Sequence, residues 1–291
     1  MRKSNTYFKT AKTATNIIQY CLVVLVTLLI VFPIIYIIPF AWKNKSEFNS
    51  MLLEMHWLPK KFVWTNFTQI FKVNVNGGYF LRALWMTLLV AILGTTLVVI
   101  INILAGFGFA RHDFPCKKIL FAFVLFTMFI PGITIMLTSV RLCNILHLNN
   151  TIFVLFIPGA ANGFNIFLFR QYYLSFPKEY EEAAEIDGAS RLQIFTKIYL
   201  PLSSTPIVIV AVGAFMGHWN NYLWPTLTIT ENEEWYTQIM QITKALSGSP
   251  ATTYGYGIVI AGTLISLIIP FVLYVFFQKK IVEGISLTGI K

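Results

Sequence analysis

Five of the twelve acidic residues of this 291-residue chain lie within one short segment, and they are Glu179, Glu181, Glu182, Glu185 and Asp187. The stretch 182–201, EAAEIDGASRLQIFTKIYLP, lies between two apolar runs that are each long enough to cross a bilayer. Ionised carboxylates are costly in hydrocarbon. We therefore expect this stretch to lie in water and to bind a partner through charge and hydrogen bonds.

A second group of polar side chains lies inside an apolar run. The sequence PGAANGFN at 158–165 falls near the middle of the run 151–173 and carries Asn162 and Asn165. Proline, glycine and two amides at this depth predict a break in the helix that faces a cavity, as in many transporters near the midplane. The alternative is that both amides only form hydrogen bonds with neighbouring helices.

A third group, His218, Asn220 and Asn221, lies farther along the chain beside Trp219 and Trp224. Aromatic faces combined with amide donors suit a sugar. An aromatic belt at the membrane surface explains the two tryptophans equally well. No Cys, Asp or Glu lies close to His218 in the sequence, so we predict no metal site there.

The composition is that of an integral membrane protein. Hydrophobic residues make up 56% of the chain and charged residues only 12%, about half the charged fraction of a soluble domain. Six apolar runs can each span the bilayer, and they lie at about 17–42, 79–106, 119–137, 151–173, 201–224 and 257–277. We predict an all-α membrane protein in which 1–16 is an N-terminal segment, 17–277 forms one six-span domain and 278–291 is a tail.

Small residues and prolines predict where these helices pack and bend. In the second run, Gly94, Gly106 and Gly108 predict close approach of neighbouring helices. In the third run, Pro131 and Gly132 predict a break, because proline lacks the N–H that a helix interior needs. The spans are therefore expected to pack tightly and to be interrupted in places.

The distribution of lysine and arginine predicts the orientation in the membrane. Six spans place both termini on one side, and fourteen of the twenty-two basic residues lie in or next to the short segments of that side. Because short cytoplasmic segments are enriched in these residues, we place both termini, the loop 111–118 and the segment 177–200 in the cytoplasm. The spans contain no acidic residue, which argues against a proton relay or a voltage sensor.

Local signals predict a helix–turn–helix in residues 177–200, which we call the EAA segment after the letters at its centre. Pro177 suits the first position of a helix, because its missing N–H would be unpaired there anyway. Gly188 supplies a left-handed residue that ends the helix. Ser190 and Gln193 form a capping box for a second helix. The alternative is a solvated amphipathic loop without a partner.

The EAA segment resembles the EAA loop of the permeases of binding-protein-dependent ABC importers. The residues that match its spacing, EAA-x3-G-x9-I-x-L-P, are Glu182, Ala183, Ala184, Gly188, Ile198, Leu200 and Pro201. Asp187 before Gly188, the string WNNYLWP at 219–225 and the ending GISLTGIK at 284–291 resemble the carbohydrate-importer branch. The likeness is to the second permease subunit of the maltose-importer type, and it covers nearly the whole chain.

The resemblance implies a heterodimeric pore formed with a second permease subunit in the bacterial plasma membrane. It also implies two ATPase subunits that bind ATP and Mg²⁺, and an extracytoplasmic solute-binding protein that delivers a carbohydrate such as an oligosaccharide. In that family the short helix bearing Glu182 docks into a cleft of the ATPase. The coupling residues that the resemblance implies here are Glu182, Ala183, Ala184, Asp187, Gly188 and Pro201.

The chain lacks the GxxxxGK[ST] pattern that cradles nucleotide phosphates. We therefore predict a non-catalytic subunit that binds no cofactor and depends on a separate ATPase. The net charge of +10 reflects membrane orientation rather than nucleic-acid binding, because the basic residues flank the spans. Two alternatives stay open: a permease of the same superfamily for a non-sugar solute, and a secondary transporter that needs no ATPase.

Overall fold

The computed structural model describes residues 2–50, 56–72, 74–75, 78–231, 237, 240, 242 and 255–289. Regular structure in these residues is almost entirely helical. The exception is a pair of two-residue antiparallel strands, β1 (Asn74–Val75) and β2 (Gly78–Tyr79). The helical class predicted from the sequence is therefore confirmed. The chain divides into two units, one of Met1–Lys72 with Ala245–Ile265 and one of Val73–Lys244 with Ser266–Lys291.

The helices of the described residues are, in chain order, α1 (Arg2–Ile37), α2 (Lys45–Ser50), α3 (Thr65–Gln69), α4 (Phe80–Arg111), α5 (Lys117–Thr127), α6 (Gly132–Ile145), α7 (Gly163–Leu174), α8 (Glu179–Ile186), α9 (Arg191–Ile194), α10 (Leu200–Leu202), α11 (Ser204–Trp219), α12 (Leu223–Thr228) and α13 (Tyr256–Gly289). Short 3-10 helices span Ile38–Trp42 and Ile152–Leu155. A π-helical turn, Phe195–Tyr199, joins α9 to α10.

Three helices of the described chain are long and apolar enough to cross a membrane, and they are Asn16–Trp42, Phe80–Arg111 and Tyr256–Val282. Two bent helix pairs raise the number to as many as five if each pair is one span. The pairs are Lys117–Thr127 with Gly132–Ile145, bent by 105°, and Arg191–Leu202 with Ser204–Trp219, bent by 76°. The third and fifth predicted spans fall in these bent pairs, and the predicted break before Gly132 is confirmed.

The fourth predicted span, 151–173, is not one helix. A 3-10 helix at its start is followed by irregular chain, and α7 begins only at Gly163. Pro158 removes a helical donor, and Gly159 has a φ of +83°, which ends regular helix. The predicted break in this run is therefore confirmed. With 12 residues, α7 alone is too short for a hydrocarbon core of about 30 Å at about 1.5 Å per residue.

Three helices extend beyond the apolar runs that predicted them. α1 begins at Arg2, inside the polar N-terminal segment. α6 continues to Ile145, past the predicted end of the third span. α13 continues to Gly289, inside the predicted tail. Apolar composition marks the part of a helix that can lie in hydrocarbon, and the helix itself can continue beyond that part.

The first unit is organised around the end of its apolar helix. Asn66 is buried and donates from Nδ2 to the carbonyl oxygens of Ala41, at 2.8 Å, and Lys43, at 2.9 Å. Gly257 lies against the same place, because a Cβ on this residue would overlap the Lys43 carbonyl oxygen. One buried amide and one glycine thus fix the chain that follows the first span.

In the second unit, α4 is the central helix and packs against α7 and α11. Gly106 allows the close approach of α7, since a Cβ there would lie 2.5 Å from Phe169 Cβ. Gly94 allows the approach of α11, since a Cβ there would overlap His218. The predicted close approach of a neighbouring helix is therefore confirmed at Gly94 and at Gly106. Gly108 has open space beside it, so the prediction of close packing is wrong for this residue within the chain.

Candidate functional site

The first helix of the EAA segment, α8, ends at a glycine in the left-handed conformation. Gly188 has a φ of +78°, as predicted. The Ala189 N–H donates to the Ala184 carbonyl at 2.9 Å, and the Gly188 N–H donates to the Glu185 carbonyl at 3.0 Å. These two bonds form a Schellman motif, which satisfies carbonyls that the helix end would leave unpaired. The glycine is required for its φ rather than for space, because no atom lies within 4 Å of a Cβ built on it.

The second helix of the segment begins where the sequence predicts. Gln193 N–H donates to Ser190 Oγ at 3.3 Å, and Ser190 N–H donates to Gln193 Oε1 at 2.7 Å. This reciprocal pair is the predicted capping box. The prediction for Pro177 is wrong, because α8 begins at Glu179. The Lys178 carbonyl is the first to accept helical hydrogen bonds, so Pro177 lies outside the helix.

The residues that the resemblance assigns to coupling are mostly in solvent. Four are exposed on and after α8, and they are Glu182, Ala183, Asp187 and Gly188. Ala184 is half-buried, and Pro201 is exposed on α10. Ile186 lies among them with 86% of its surface exposed.

The opposite face of α8 is buried and is tied to the rest of the second unit by Glu181. Tyr199 Oη donates to Glu181 Oε1 at 2.6 Å. The same carboxylate oxygen lies 3.6 Å from Arg111 Nε, and the Arg111 side chain is only 4% exposed. Sequence reasoning missed this contact. The five neighbouring acidic residues look alike in the sequence, and nothing in it pairs any one of them with Arg111 on α4.

Arg111 joins several segments at this point. One terminal guanidinium nitrogen donates to the carbonyl oxygens of Tyr173, at 2.6 Å, and Phe176, at 2.5 Å. The guanidinium carbon lies 5.2 Å from the centre of the Tyr199 ring. Arginine suits this position because its planar group keeps its charge and offers several donors. The ends of α4 and α7, helix α8 and the π-helical turn therefore meet at one buried cation.

A cleft of about 610 Å³ lies in the second unit between α7 and α11. It brings together four of the five predicted substrate-path residues, Asn162, Asn165, His218 and Asn221. Asn220 is not among the lining residues. Phe164 contributes an aromatic ring that is 54% exposed. The His218 ring also lies against Gly94, so α4 fixes the position of the imidazole.

The broken run beside this cleft is held by Asn102 of α4, which is fully buried. Asn102 Nδ2 donates to the Ala160 carbonyl at 2.7 Å, and its Oδ1 accepts the Asn162 N–H at 2.8 Å. A single side chain thus satisfies a carbonyl and an N–H that the break releases from helical bonding. Sequence reasoning missed this residue. The available signal was a lone amide within the apolar sequence IINIL.

Asn162 has a structural contact as well as a place in the lining of the cleft. Its side chain accepts the Asn165 N–H at 3.1 Å and caps α7. It also lines the cleft. The lining includes neither Lys, Arg, Asp nor Glu, and the described residues contain no group of three or more His, Cys, Asp or Glu that could hold a metal ion. The cleft therefore offers neutral hydrogen-bonding groups on mainly apolar walls.

The chain is similar to permeases over nearly its whole length. It is 28% identical to the arabinooligosaccharides transport system permease protein AraQ of Halalkalibacterium halodurans, covering 90% of this chain and 91% of that protein. It is 27% identical to the lactose transport system permease protein LacG of Rhizobium radiobacter, covering 92% and 94%. It is 28% identical to the sn-glycerol-3-phosphate transport system permease protein UgpE of Yersinia enterocolitica, covering 91% and 95%.

Two further comparisons agree. One chain in the crystal structure of a bacterial ABC transporter involved in the import of the acidic polysaccharide alginate has the same fold. Its TM-score is 0.80, over 92% of this chain and 97% of that chain, at 22% identity. The model of the binding-protein-dependent transport system inner membrane component matches residues 102–282, which include the EAA segment and all of the residues that line the cleft except Val98. The chain therefore belongs to the family of binding-protein-dependent transport system inner membrane components, as the EAA letters predict.

Proposed function

We propose that this chain is a permease subunit of an ATP-driven importer that moves a neutral carbohydrate, such as an oligosaccharide, into the cell. The observation that carries the proposal is the two-faced helix α8. It presents Glu182 and Asp187 to solvent, and its other face is bonded to the rest of the second unit through Glu181. A helix built this way can receive a displacement from a bound partner and pass it to the spans.

In this proposal the chain crosses the membrane six times and both termini are cytoplasmic. The third, fourth and fifth crossings are interrupted helices rather than continuous ones. The distribution of Lys and Arg supports the orientation, because the short segments on the side of the termini carry most of them. The EAA segment then lies in the cytoplasm, where an ATPase is accessible.

The proposed assembly supplies what this chain lacks. A second permease subunit completes the pore, two ATPase subunits bind ATP and Mg²⁺ and contact α8, and an extracytoplasmic binding protein delivers the solute. Support for a membrane partner comes from the helix Asn16–Trp42. The most apolar 18-residue window of this helix is 0% buried within the chain, which leaves it free to contact lipid or a second subunit.

The chemistry of the cleft favours a neutral cargo. Two of the relatives described above are named for arabinooligosaccharide and lactose transport. The third is named for sn-glycerol 3-phosphate, which makes a permease for an anionic solute the second candidate. A phosphate group is normally held by Arg, Lys or a row of backbone N–H groups. The cleft lining contains no Arg or Lys, and its amides and Phe164 suit sugar hydroxyls and ring faces.

The test is uptake into proteoliposomes that contain this chain with its cognate permease, ATPase and binding protein. We expect ATP-dependent uptake of a labelled arabinooligosaccharide or lactose, and no preference for sn-glycerol 3-phosphate. Glu182→Lys abolishes this uptake, because it reverses the charge at the centre of the exposed acidic face of α8. Glu231→Lys, in an exposed loop outside the EAA segment, is the matched control and retains uptake. Uptake by this chain alone, without ATP, contradicts the proposal and indicates a secondary transporter.

A further inference from the structure

Two adjacent acidic residues of α8 face in different directions. Glu181 is only 9% exposed, whereas Glu182 is exposed. Successive residues of an α-helix point about 100° apart, because the helix has 3.6 residues per turn. The EAA pattern begins at Glu182 and leaves Glu181 without a function. A buried carboxylate on a docking helix nevertheless requires an explanation, because burying a charge is costly unless it is paired.

The partners of Glu181 lie on elements outside α8. Glu181 Oε1 accepts the Tyr199 hydroxyl at 2.6 Å and lies 3.6 Å from Arg111 Nε. Tyr199 is 1% exposed. Arg111 donates in turn to the carbonyls of Tyr173 and Phe176 at the end of α7. The carboxylate, the phenol and the guanidinium therefore form one buried cluster that connects α8 to α4, α7 and the π-helical turn.

The cluster continues to the bend before α11. Ser203 is fully buried, and its Oγ donates to the Tyr199 carbonyl at 2.6 Å and lies 3.2 Å from Tyr173 Oη. Ser203 stands at the 76° bend between Arg191–Leu202 and Ser204–Trp219. Only the three residues of α10 separate the π-helical turn from this bend, and such turns often occur at functional sites. The far half of α11 lines the cleft.

We propose that Glu181 is the positioning residue that transmits movement of α8 to α4 and to the bend at Ser203. Removing one member of a buried charge pair leaves the other unpaired, so the link resists being broken. Only a stiff link makes α8 and the end of α4 move as one body. The proposal rests on the proposed function, in which an ATPase displaces α8. It adds that the inward carboxylate, and not only the outward one, is needed for that displacement to reach the cleft.

A distance measurement tests the link without any ATPase. Spin labels are attached at Asp187, just after α8, and at Lys118 on α5, both exposed, in a cysteine-free form of the chain in nanodiscs. We expect one narrow distance in the native background, and a broadened or second distance after Glu181→Gln. Glu179→Gln, an exposed acidic residue of the same helix, is the matched control and leaves the distribution unchanged. An unchanged distribution after Glu181→Gln overturns the proposal.

The functional readout is ATP hydrolysis by the complete importer, with and without its binding protein. Glu181→Gln is expected to lower the ratio of stimulated to basal activity by roughly tenfold, because the amide still accepts from Tyr199 but loses the charge that faces Arg111. Tyr199→Phe gives a similar loss, and the double variant loses less than the two single losses combined, because both substitutions weaken the one contact between Glu181 and Tyr199. The ATPase still copurifies with these variants.

The outcomes distinguish a purely structural function of Glu181 from a failure of the proposed function. A lower yield and lower thermal stability with an unchanged activity ratio show a structural residue only, and overturn the proposal. A native chain that fails to copurify with an ATPase contradicts the proposed function. The spin-label distance still decides whether Glu181 fixes α8 in that case, because it needs no partner.

Discussion

Different chemistry holds the EAA segment and the broken run beside the cleft. A buried ion pair holds helix α8 of the segment, and a buried amide holds the break. In the EAA segment the buried contact is charged, and Glu181 Oε1 lies 3.6 Å from Arg111 Nε. Beside the cleft, the contact is a neutral amide, Asn102, bonded to two backbone groups. The difference fits the proposed topology, in which the break lies within the bilayer, where a charge is costly and an amide is tolerated.

The two regions also differ in packing. Buried aromatic rings surround the base of the EAA segment, with ring centroids 4.9 Å apart for Phe107 and Phe195 and 5.1 Å apart for Phe107 and Tyr199. The cleft is bordered by Gly213 and Gly217 of α11, and no atom lies within 4 Å of a Cβ built on either. The base of the EAA segment is therefore closely packed, whereas the cleft has open space beside α11.

The largest effect is expected from removing the amide that holds the break. Asn102→Leu leaves the Ala160 carbonyl and the Asn162 N–H without their partner, and each buried unpaired group costs about 1–3 kcal/mol. We expect loss of uptake and a clear fall in the thermal unfolding temperature of the purified chain. Asn144→Leu, at an exposed amide on α6, is the control and changes neither. A stable, active Asn102→Leu variant shows that the break holds its shape without this side chain.

A smaller effect is expected at the turn of the EAA segment. Gly188→Ala places a Cβ on a residue with a φ of +78°, which costs roughly 1–2 kcal/mol. The strain loosens the Schellman motif and shifts Asp187, so we expect ATPase stimulation to fall severalfold. Gly108→Ala tests the same substitution in open space on α4, and full activity is expected there. Equal activity of the two variants contradicts the assigned function of the turn.

The smallest effect is expected at the exposed ion pair of the segment. Glu185 Oε1 lies 2.9 Å from Arg191 Nη2, but the two side chains are 43% and 58% exposed. Exposed pairs contribute about 0–1 kcal/mol, and salt screens them. Glu185→Gln is therefore expected to change ATPase stimulation less than twofold, and less still at high salt, in contrast to Glu181→Gln. A large effect at Glu185 would show that burial is not what separates the two carboxylates.

Features that depend on neighbouring residues could be predicted from the sequence. Gly188 and the pair Ser190 and Gln193 act through bonds that span three to five residues, so their types and spacing suffice. The break after Pro158 is local for the same reason. The pairing of Glu181 with Arg111 joins segments far apart in the chain, and no local pattern specifies it.

The glycines of α4 also show that a local pattern does not specify contacts between distant segments. Gly94, Gly106 and Gly108 look equivalent in the sequence, yet only the first two meet a neighbouring helix. Gly108 follows Gly106 by two residues and so points about 200° away from it around the helix. The positions at which α7 and α11 pack determine which side of α4 contacts a neighbouring helix. Composition predicts that small residues contact helices, and the tertiary structure decides which of them do.

The central claim is that the outward face of the EAA segment contacts an ATPase. The most direct measurement places a photo-crosslinking residue at Ile186, which is 86% exposed, and at Trp64, which is 66% exposed in the loop after the first span. We expect an adduct between position 186 and the ATPase chain of the assembled importer, and none from position 64. Adducts from position 186 to the external binding protein, or none to the ATPase in an intact complex, would show that this face does not contact the ATPase.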